Sequence, residues 1–127
     1  MKTLRELKAD IRTALRTASV ALAVPETFIE FGKYGIMPTK TPAVWVYAEP
    51  QSLLTERTRS TVRTATLTIA CLHKTDDDAL ELGERVEKVL AESSIELLTL
   101  SPAQMDGVYA DVATVVLTAT ALYQPSV

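Results

Sequence analysis

The sequence predicts an α+β fold in which two helices pack on one face of a mixed, mostly antiparallel sheet, in the order α-β-β-β-α-β-β. Two segments, 61–72 and 112–123, alternate apolar residues with threonine or another small residue, which is the period of a strand with one buried face. Two others, 3–18 and 76–90, repeat apolar residues every three or four positions, which is the period of an amphipathic helix. Helices and strands in this order predict one layer of each.

The first third of the chain is predicted to contain a helix, a short strand and a loop. The apolar stripe of the first helix runs from Thr3 to about Ala18, and Pro25 ends whatever remains of it. Segment 26–31, ETFIEF, is rich in aromatic and β-branched residues and is expected to be a short strand. Segment 32–42 contains two glycines and two prolines and is expected to be a loop.

The remaining elements follow from similar signals. The run AVWVYA (43–48) is nearly all apolar, which predicts a strand covered on both faces, and a polar segment then leads to the strand at 61–72. After the second helix, segment 94–100 is expected to form a short strand. Segment 101–111 is expected to be a turn-rich connection with a hairpin signal at Asp106-Gly107.

Composition bounds the class of protein. The 127 residues are 47% hydrophobic and 23% charged, so we expect one globular domain, residues 1–127, with a sizeable core. The longest apolar stretch, residues 18–24, is far too short to cross a membrane, and the N-terminus lacks the pattern of a signal peptide. We therefore expect folding in the cytoplasm without membrane contact, with the single cysteine, Cys71, as a small core residue.

Charge is distributed unequally along the chain. Residues 1–75 contain eleven Lys and Arg against six Asp and Glu, a net +5, whereas residues 76–127 contain two against ten, a net −8. Such a division can mark a surface for nucleic acid or an acidic partner, or two complementary faces through which identical subunits meet head to tail. Alternatively, the fold mixes the two halves and their charges.

The stretch LHKTDDDALELGERVEKVL (72–90) raises the question of a metal site, because His73 lies three residues before Asp76, Asp77 and Asp78. Consecutive helical residues point about 100° apart, so the three carboxylates cannot converge on one ion without help. As a helix start the pattern is simpler. Thr75 caps the helix and the three acids interact with the positive end of its dipole. We expect the helix and no metal site.

The sequence contains no catalytic signature: GxSxG, a Gly-rich phosphate loop, HExxH and CxxC are all absent. We therefore expect no enzyme and no cofactor. Two groups of basic residues could contact nucleic acid, although the pI near 5.1 favours solvated surfaces. They are Arg5, Lys8, Arg12 and Arg16 in the first helix and Arg57, Arg59 and Arg63 before the long strand.

Several segments together resemble the tail terminator proteins of long-tailed bacteriophages, the minor tail protein U family. They are an N-terminal amphipathic helix, then TPAVWVY, RTATLTIACLHK, TDDDALELGERVEKVL and the closing ATVVLTATALY. The resemblance covers most of the chain and depends on the order of the elements, on the PAVWVY strand and on the closing strand ending in Tyr123.

The resemblance implies a structural virion protein of the tail, assembled in the host cytoplasm. It implies a homo-oligomeric, hexameric ring that caps the tail tube, ends its polymerisation and provides the surface that joins the head. The implied partners are further copies of the chain, the tail tube protein and a head-completion protein, with passing contact to DNA in the lumen.

The family carries no motif residue over to this chain, so interface residues are predicted from physical grounds alone. Exposed leucines followed by arginines in a polar connection are typical of a segment that docks on a partner, and the loop at 32–42 offers a second surface. The residues predicted for subunit or tail-tube contact are Leu53, Leu54, Arg57, Arg59, Tyr34, Ile36 and Met37.

Two alternatives remain open. One is another head-tail connector or neck protein of similar fold. The other, from a different class, is a small cytoplasmic ligand-binding protein or enzyme that holds His73 and one of the aspartates in a cleft between subunits.

Overall fold

The structure is a computed structural model that describes residues 2–32, 40–50, 62–109 and 112–124. Its helices are α1 (Leu4–Thr17), α2 (Ser19–Leu22) and α3 (Asp76–Ala91), with a single 3-10 turn at Glu26–Phe28. Its strands are β1 (Ile29–Phe31), β2 (Ala43–Pro50), β3 (Arg63–His73), β4 (Thr99–Leu100), β5 (Gln104–Tyr109) and β6 (Val112–Tyr123).

The six strands form one sheet in the order β1-β2-β3-β6-β4, and β5 also pairs with β6. β1 runs parallel to β2, whereas all other pairs are antiparallel. The two long threonine-rich strands, β3 and β6, pair along their whole length, from Arg63 opposite Tyr123 to His73 opposite Ala113. The predicted α+β class is therefore confirmed.

The hydrophobic core lies between one face of this sheet and the helices α1 and α3. Each helix contributes its predicted apolar stripe, Leu7, Ile11 and Leu15 from α1 and Ala79, Leu82, Val86 and Leu90 from α3. β3 and β6 contribute every second residue, and these buried side chains are Ala65, Leu67, Ile69, Cys71, Ala113, Val115, Leu117, Ala119, Ala121 and Tyr123. The alternation read from the sequence therefore corresponds to a face that the helices cover.

Helix α1 begins at a complete capping box. The Thr3 hydroxyl accepts a hydrogen bond from the Glu6 N–H, and the Glu6 carboxylate accepts one from the Thr3 N–H. The chain leaves the short α2 through Ala23, whose φ of 56° places it in the left-handed region. α1 and α2 together extend the first helical segment four residues past the predicted end at Ala18.

Four local predictions were wrong at least in part. Only Ile29–Phe31 of segment 26–31 is strand, because the residues before it form the 3-10 turn. β2 is covered unequally on its two faces: Val44 and Val46 are fully buried under the helices, while on the opposite face Ala43 is buried but Trp45 and Tyr47 are only partly so. In segment 94–100 only Thr99–Leu100 pairs as a strand.

The fourth concerns segment 101–111, where Asp106-Gly107 does not turn the chain but lies within β5. A register shift between Met105 and Gly107 absorbs one extra residue there, so the pair acts as a β-bulge.

Candidate interaction surface

All seven residues predicted for subunit or tube contact lie outside the described residues. Tyr34, Ile36 and Met37 belong to segment 33–39, and Leu53, Leu54, Arg57 and Arg59 belong to segment 51–61. These contacts therefore stay predictions.

The described ends of the chain show where both segments attach to the sheet. β2 ends at Pro50, which pairs with Ala65 near the start of β3, so segment 51–61 joins two neighbouring antiparallel strands. β1 runs parallel to β2, and the Gly32 N–H donates to the Val46 carbonyl, so Gly32, the last described residue before segment 33–39, lies beside the second half of β2. The described residues that precede the two predicted contact segments therefore lie towards the same end of the sheet.

The basic flank of α1 is largely paired within the chain. Arg12 and Arg16 both bind Glu30 of β1, at 2.5 Å from Nη1 and 2.7 Å from Nη2. Lys8 Nζ and the Arg12 guanidinium also lie 4.6 Å and 4.0 Å from the centre of the Phe31 ring. These cations stabilise the contact between α1 and the sheet edge, which makes them poor candidates for phosphate binding.

Glu30 is held ionised by this arrangement. The Phe31 N–H donates to Glu30 Oε1 at 2.9 Å, and this bond, assisted by Arg12 and Arg16, lowers the pKa of the carboxyl group although partial burial opposes the effect. Arg16 also donates from Nε to the Ile29 carbonyl at 2.8 Å. The edge strand β1 is therefore fastened to α1 through charge-assisted hydrogen bonds.

The structure resolves the stretch around His73 as a strand end and a capped helix. The Thr75 hydroxyl accepts from the Asp78 N–H at 3.2 Å, and Asp76, Asp77 and Asp78 are exposed in the first turn of α3. His73 Nδ1 accepts from the Lys74 N–H at 2.9 Å and lies 3.9 Å from the Asp78 carboxylate. The helix prediction is confirmed, and in the described part of the chain no three acidic, histidine or cysteine side chains converge as a metal site would require.

Lysine and arginine ion pairs do not link the two charge halves in the described part of the chain. Among the described residues, each ion pair of a lysine or arginine joins residues of the same half: Lys2 with Asp10, Arg12 and Arg16 with Glu30, and Arg85 with Glu81. The contact between His73 and Asp78 is the one that crosses. Within the described residues, most acids of α3 thus face solvent without a lysine or arginine partner from the basic half.

A groove of about 810 Å³ lies between α1 and the segment that follows α3. Its apolar lining includes Leu7, Ile95, Leu98 and Leu122, of which Leu98 and Leu122 are 57% and 41% exposed. Its charged lining residues are Lys2, Asp10 and Glu96, and the first two are paired with each other. The volume suits a small molecule or an apolar side chain of a partner. His73 is not part of it.

The sheet face opposite the helices is a second surface that sequence reasoning missed. Its apolar part forms a separate small cluster around Ala43, Ala70 and Leu72, with Trp45, Tyr47, Val112 and Val116 packed beside it. Threonines of β3 and β6 make up most of the rest, and Glu49 of β2 pairs with Thr66 there. The threonine alternation in both strands was the available signal, but only the pairing of β3 with β6 shows that the two rows lie side by side.

Cys71 is confirmed as a core residue. Its side chain is fully buried under the helices, and burial raises the pKa of its thiol to about 12. The thiol is therefore protonated and carries no nucleophilic role in the folded chain.

No protein-family model matches the chain, and no curated protein matches it significantly. No helix within the described ranges is both long enough and apolar enough to span a membrane. Inference of function therefore depends on the layout of the fold and on its surfaces.

Proposed function

We propose that this protein is a structural component of a phage or prophage virion that forms a ring on the tail tube, ends tube polymerisation and offers the surface that joins the head. One observation carries the proposal: the segments that resemble tail terminators form a single unit. PAVWVY, RTATLTIACLHK and ATVVLTATALY lie in the neighbouring strands β2, β3 and β6, and the first helix and the acidic helix cover the same face. The segments on which the resemblance depends are therefore neighbours in one sheet, which supports the proposal.

The separation of charge supports assembly through unlike surfaces. Among the residues that the structure describes, the acidic exterior of α3 has no lysine or arginine partner from the basic half. In a closed ring every subunit presents one face to a different face of its neighbour, so an acidic surface can meet a basic one. Arg57, Arg59 and Arg63 are the basic residues that we expect to supply the second surface.

The partners that follow are further copies of the chain in a hexamer, the tail tube protein and a head-completion protein, with DNA passing through the lumen. The location that follows is the virion tail, after assembly in the bacterial cytoplasm. Arg12 and Arg16 are held by Glu30, so DNA contact in the lumen would use other cations.

The direct test is capping of a tail tube. A tail tube protein encoded beside this chain is polymerised with and without it, and tube lengths and ends are examined by electron microscopy. We expect a ring at one end and tubes of limited length. Unlimited growth with bare ends in the presence of folded protein would contradict the proposal.

Charge reversal tests the contact between subunits. The double variant Arg57→Glu, Arg59→Glu is expected to lose ring formation, and raising salt from about 0.05 to about 0.5 M should weaken the wild-type ring through screening. Lys40→Glu is the matched control, since it reverses an exposed cation of the same half at the opposite end of β2. Rings that are indifferent to both changes would exclude this electrostatic contact.

Deletion of residues 52–58 tests the connecting segment. β2 and β3 are paired through eight residues on each strand and need only a short turn between them, so the shortened chain is expected to fold. It should retain the far-ultraviolet circular dichroism of the wild type and fail to assemble. An intact ring would show that the segment is not the contact.

The groove between α1 and residues 93–98 favours a second candidate, a small-molecule-binding protein. The probe is anilinonaphthalene sulfonate, which binds apolar grooves and fluoresces there. Leu98→Asp should abolish its binding, whereas Leu80→Asp, at an exposed leucine of α3, should not. Absence of binding to the wild type would remove this candidate.

A further inference from the structure

Strand β1 lies at one end of the sheet, where an unprotected strand would offer its free backbone groups to another chain. It pairs with β2 on one side, and no described strand pairs with its other side. The outer N–H and C=O groups of an edge strand are a template for further strands, and proteins protect such edges in several ways. The partners of these outer groups therefore decide whether the sheet can grow at β1.

The pairing with β2 shows which groups of β1 point outward. The Gly32 N–H donates to the Val46 carbonyl at 3.1 Å, so the backbone groups of Gly32 point towards β2. Backbone groups of successive residues in a strand point to opposite sides. Those of Glu30 therefore also point towards β2, and those of Ile29 and Phe31 point away from it. The outer edge of β1 thus consists of the N–H and C=O groups of Ile29 and Phe31.

Three of these four outer groups are bonded within the chain. The Ile29 N–H donates to the Glu26 carbonyl, which closes the 3-10 turn. The Ile29 carbonyl accepts from Arg16 Nε at 2.8 Å. The Phe31 N–H donates to Glu30 Oε1 at 2.9 Å. A strand that approached β1 from outside would therefore have to displace a turn, a guanidinium and a carboxylate before it could form its own hydrogen bonds.

The Glu30 side chain also crosses this edge. Glu30 lies opposite Trp45, on the sheet face away from the helices. Its carboxylate nevertheless binds Arg12 and Arg16, which belong to α1 on the other face. Because β2 fills the inner side of β1, the side chain reaches these arginines around the outer side. It therefore occupies space that a further strand would need.

The charges at this edge are a second obstacle to strand addition. Arg12, Arg16 and Glu30 keep part of their side chains in water, and Lys8 Nζ lies 4.6 Å from the centre of the Phe31 ring. A strand added at β1 would remove these groups from water and separate their ion pairs, which is unfavourable. Charged side chains at a strand edge are a common means of preventing edge-to-edge association.

We propose that Arg16 and Glu30, supported by Arg12, form an edge lock that closes the β1 side of the sheet to strand addition. Without the lock, the Ile29 carbonyl and the Phe31 N–H would be free on the outer side, and a second copy could pair its own β1 with this one. The lock therefore restricts association of this chain to surfaces other than the β1 edge.

The edge lock does not rest on the proposed ring. It follows from the hydrogen bonds of β1 within one chain, and it would serve any protein with this sheet. Failure of the wild type to cap a tail tube would leave the lock standing, and an open β1 edge would leave the ring proposal standing.

Sedimentation of variants tests the edge lock, with the mass read against protein concentration. The double variant Arg16→Met, Glu30→Ala frees the Ile29 carbonyl and the Phe31 N–H, and it should associate at a concentration at least about tenfold lower than the wild type. Lys8→Met is the matched control, since it removes a cation beside Phe31 but no bond to the β1 backbone. It should associate like the wild type. A folded double variant with the wild-type mass at every concentration would overturn the proposal.

Hydrogen exchange of the Phe31 amide, followed by nuclear magnetic resonance in dilute solution, tests the bond itself. In the wild type this N–H should be protected at least about tenfold, although it lies on the outer side of an edge strand. Glu30→Ala should lose that protection. Glu30→Gln keeps an oxygen that can accept the bond and should retain most of it. An unprotected Phe31 amide in the wild type would overturn the lock whether or not the variants fold.

The same exchange measurement separates strand addition from association through unfolding. If the double variant extends the sheet, the Phe31 amide should regain protection in the associated protein while the amides of β3 stay protected throughout. Association in which β3 stays protected and the Phe31 amide stays open would overturn the proposal. If β3 also loses protection, the comparison of Glu30→Ala with Glu30→Gln decides instead. Stronger association of Glu30→Ala would support the lock, and equal association of the two would overturn it.

Discussion

Gly83 of α3 lies so close to Val115 of β6 that a side chain on the glycine would meet the strand. A Cβ there would lie 2.7 Å from Val115 Cγ1 and 3.0 Å from Ala103 Cβ. Glycine inside a helix costs about 1 kcal/mol relative to alanine. The close packing of α3 on the sheet, which the glycine permits, offsets this cost.

We expect Gly83→Ala to destabilise the protein despite the better helix propensity of alanine. Crowding a packed core costs about 1–3 kcal/mol, which exceeds the gain of about 1 kcal/mol from propensity. Urea unfolding followed by circular dichroism measures the difference. Glu84→Ala, one residue on and exposed, should change stability by less than about 0.5 kcal/mol. A more stable Gly83→Ala variant would show that α3 can move away from β6 at little cost.

Thr75→Ala should destabilise α3 by about 1 kcal/mol, because the Asp78 N–H loses its hydrogen-bond acceptor. Thr75→Asp should keep most of the stability, since its carboxylate can accept the same bond, although it adds a fourth acid to Asp76, Asp77 and Asp78. Thermal unfolding compares the two variants with Lys74→Ala, an exposed neighbour that supplies no cap. Equal stability of all three would mean that the hydroxyl contributes nothing.

The long elements could be predicted from the sequence because each has one face in the core. In β3 and β6 every second residue is buried, and in α1 and α3 every third or fourth residue is. These buried residues are the ones that the helices and the sheet pack against each other. The first residue of α3 could be predicted because a threonine followed by three acidic residues is typical of a capped helix start.

Edge strands and long-range pairs could not be predicted in this way. β5 contains Asp106-Gly107, which favours a turn in isolation, but pairing with β6 turns it into a bulged strand. Arg12 and Arg16 appear as a free basic flank in the sequence because Glu30, their partner, is fourteen to eighteen residues away. Likewise, the two threonine rows on the sheet face opposite the helices lie side by side only because of the register of β3 against β6.

Removal of the Glu30 charge should weaken the attachment of β1 to α1 and change the acid sensitivity of the protein. Glu30→Gln loses two ion pairs, but the Glu30 side chain is 45% exposed, so screening limits the loss to about 1 kcal/mol. The pKa of Glu30 is lowered in the folded chain, so its contribution is complete above the ordinary value of 4.5 and disappears as pH falls through the lowered value.

The measurement is the urea midpoint of wild type and Glu30→Gln at about pH 7 and about pH 3. The difference between them should shrink towards the lower pH. Glu26→Gln, an exposed acid in the same region, serves as the control and should show no comparable change. If the difference in urea midpoint between wild type and Glu30→Gln does not change with pH, the ionised carboxylate of Glu30 is not what stabilises the wild type.

Cys71 should resist thiol reagents as long as the protein is folded. With the thiol pKa raised from 9.0 to about 12, the thiolate fraction near pH 8 falls roughly a thousandfold, and burial blocks access as well. Labelling with iodoacetamide, followed by mass spectrometry, should be slow in buffer and fast in concentrated urea. Rapid labelling of the folded chain would place the thiol near solvent.

The same burial predicts the effect of alkaline pH on stability. The unfolded chain releases the thiol proton near 9.0 while the folded chain retains it up to about 12. The stability that comes from the neutral thiol is therefore complete below pH 9.0 and is lost as pH rises towards 12. The Cys71→Ala variant has no thiol to ionise. Above about pH 9 its free energy of unfolding should therefore fall less steeply with pH than that of the wild type. The free energy of unfolding of both proteins is measured by urea titration at several pH values. If it falls equally with pH in both, ionisation of Cys71 does not limit alkaline stability.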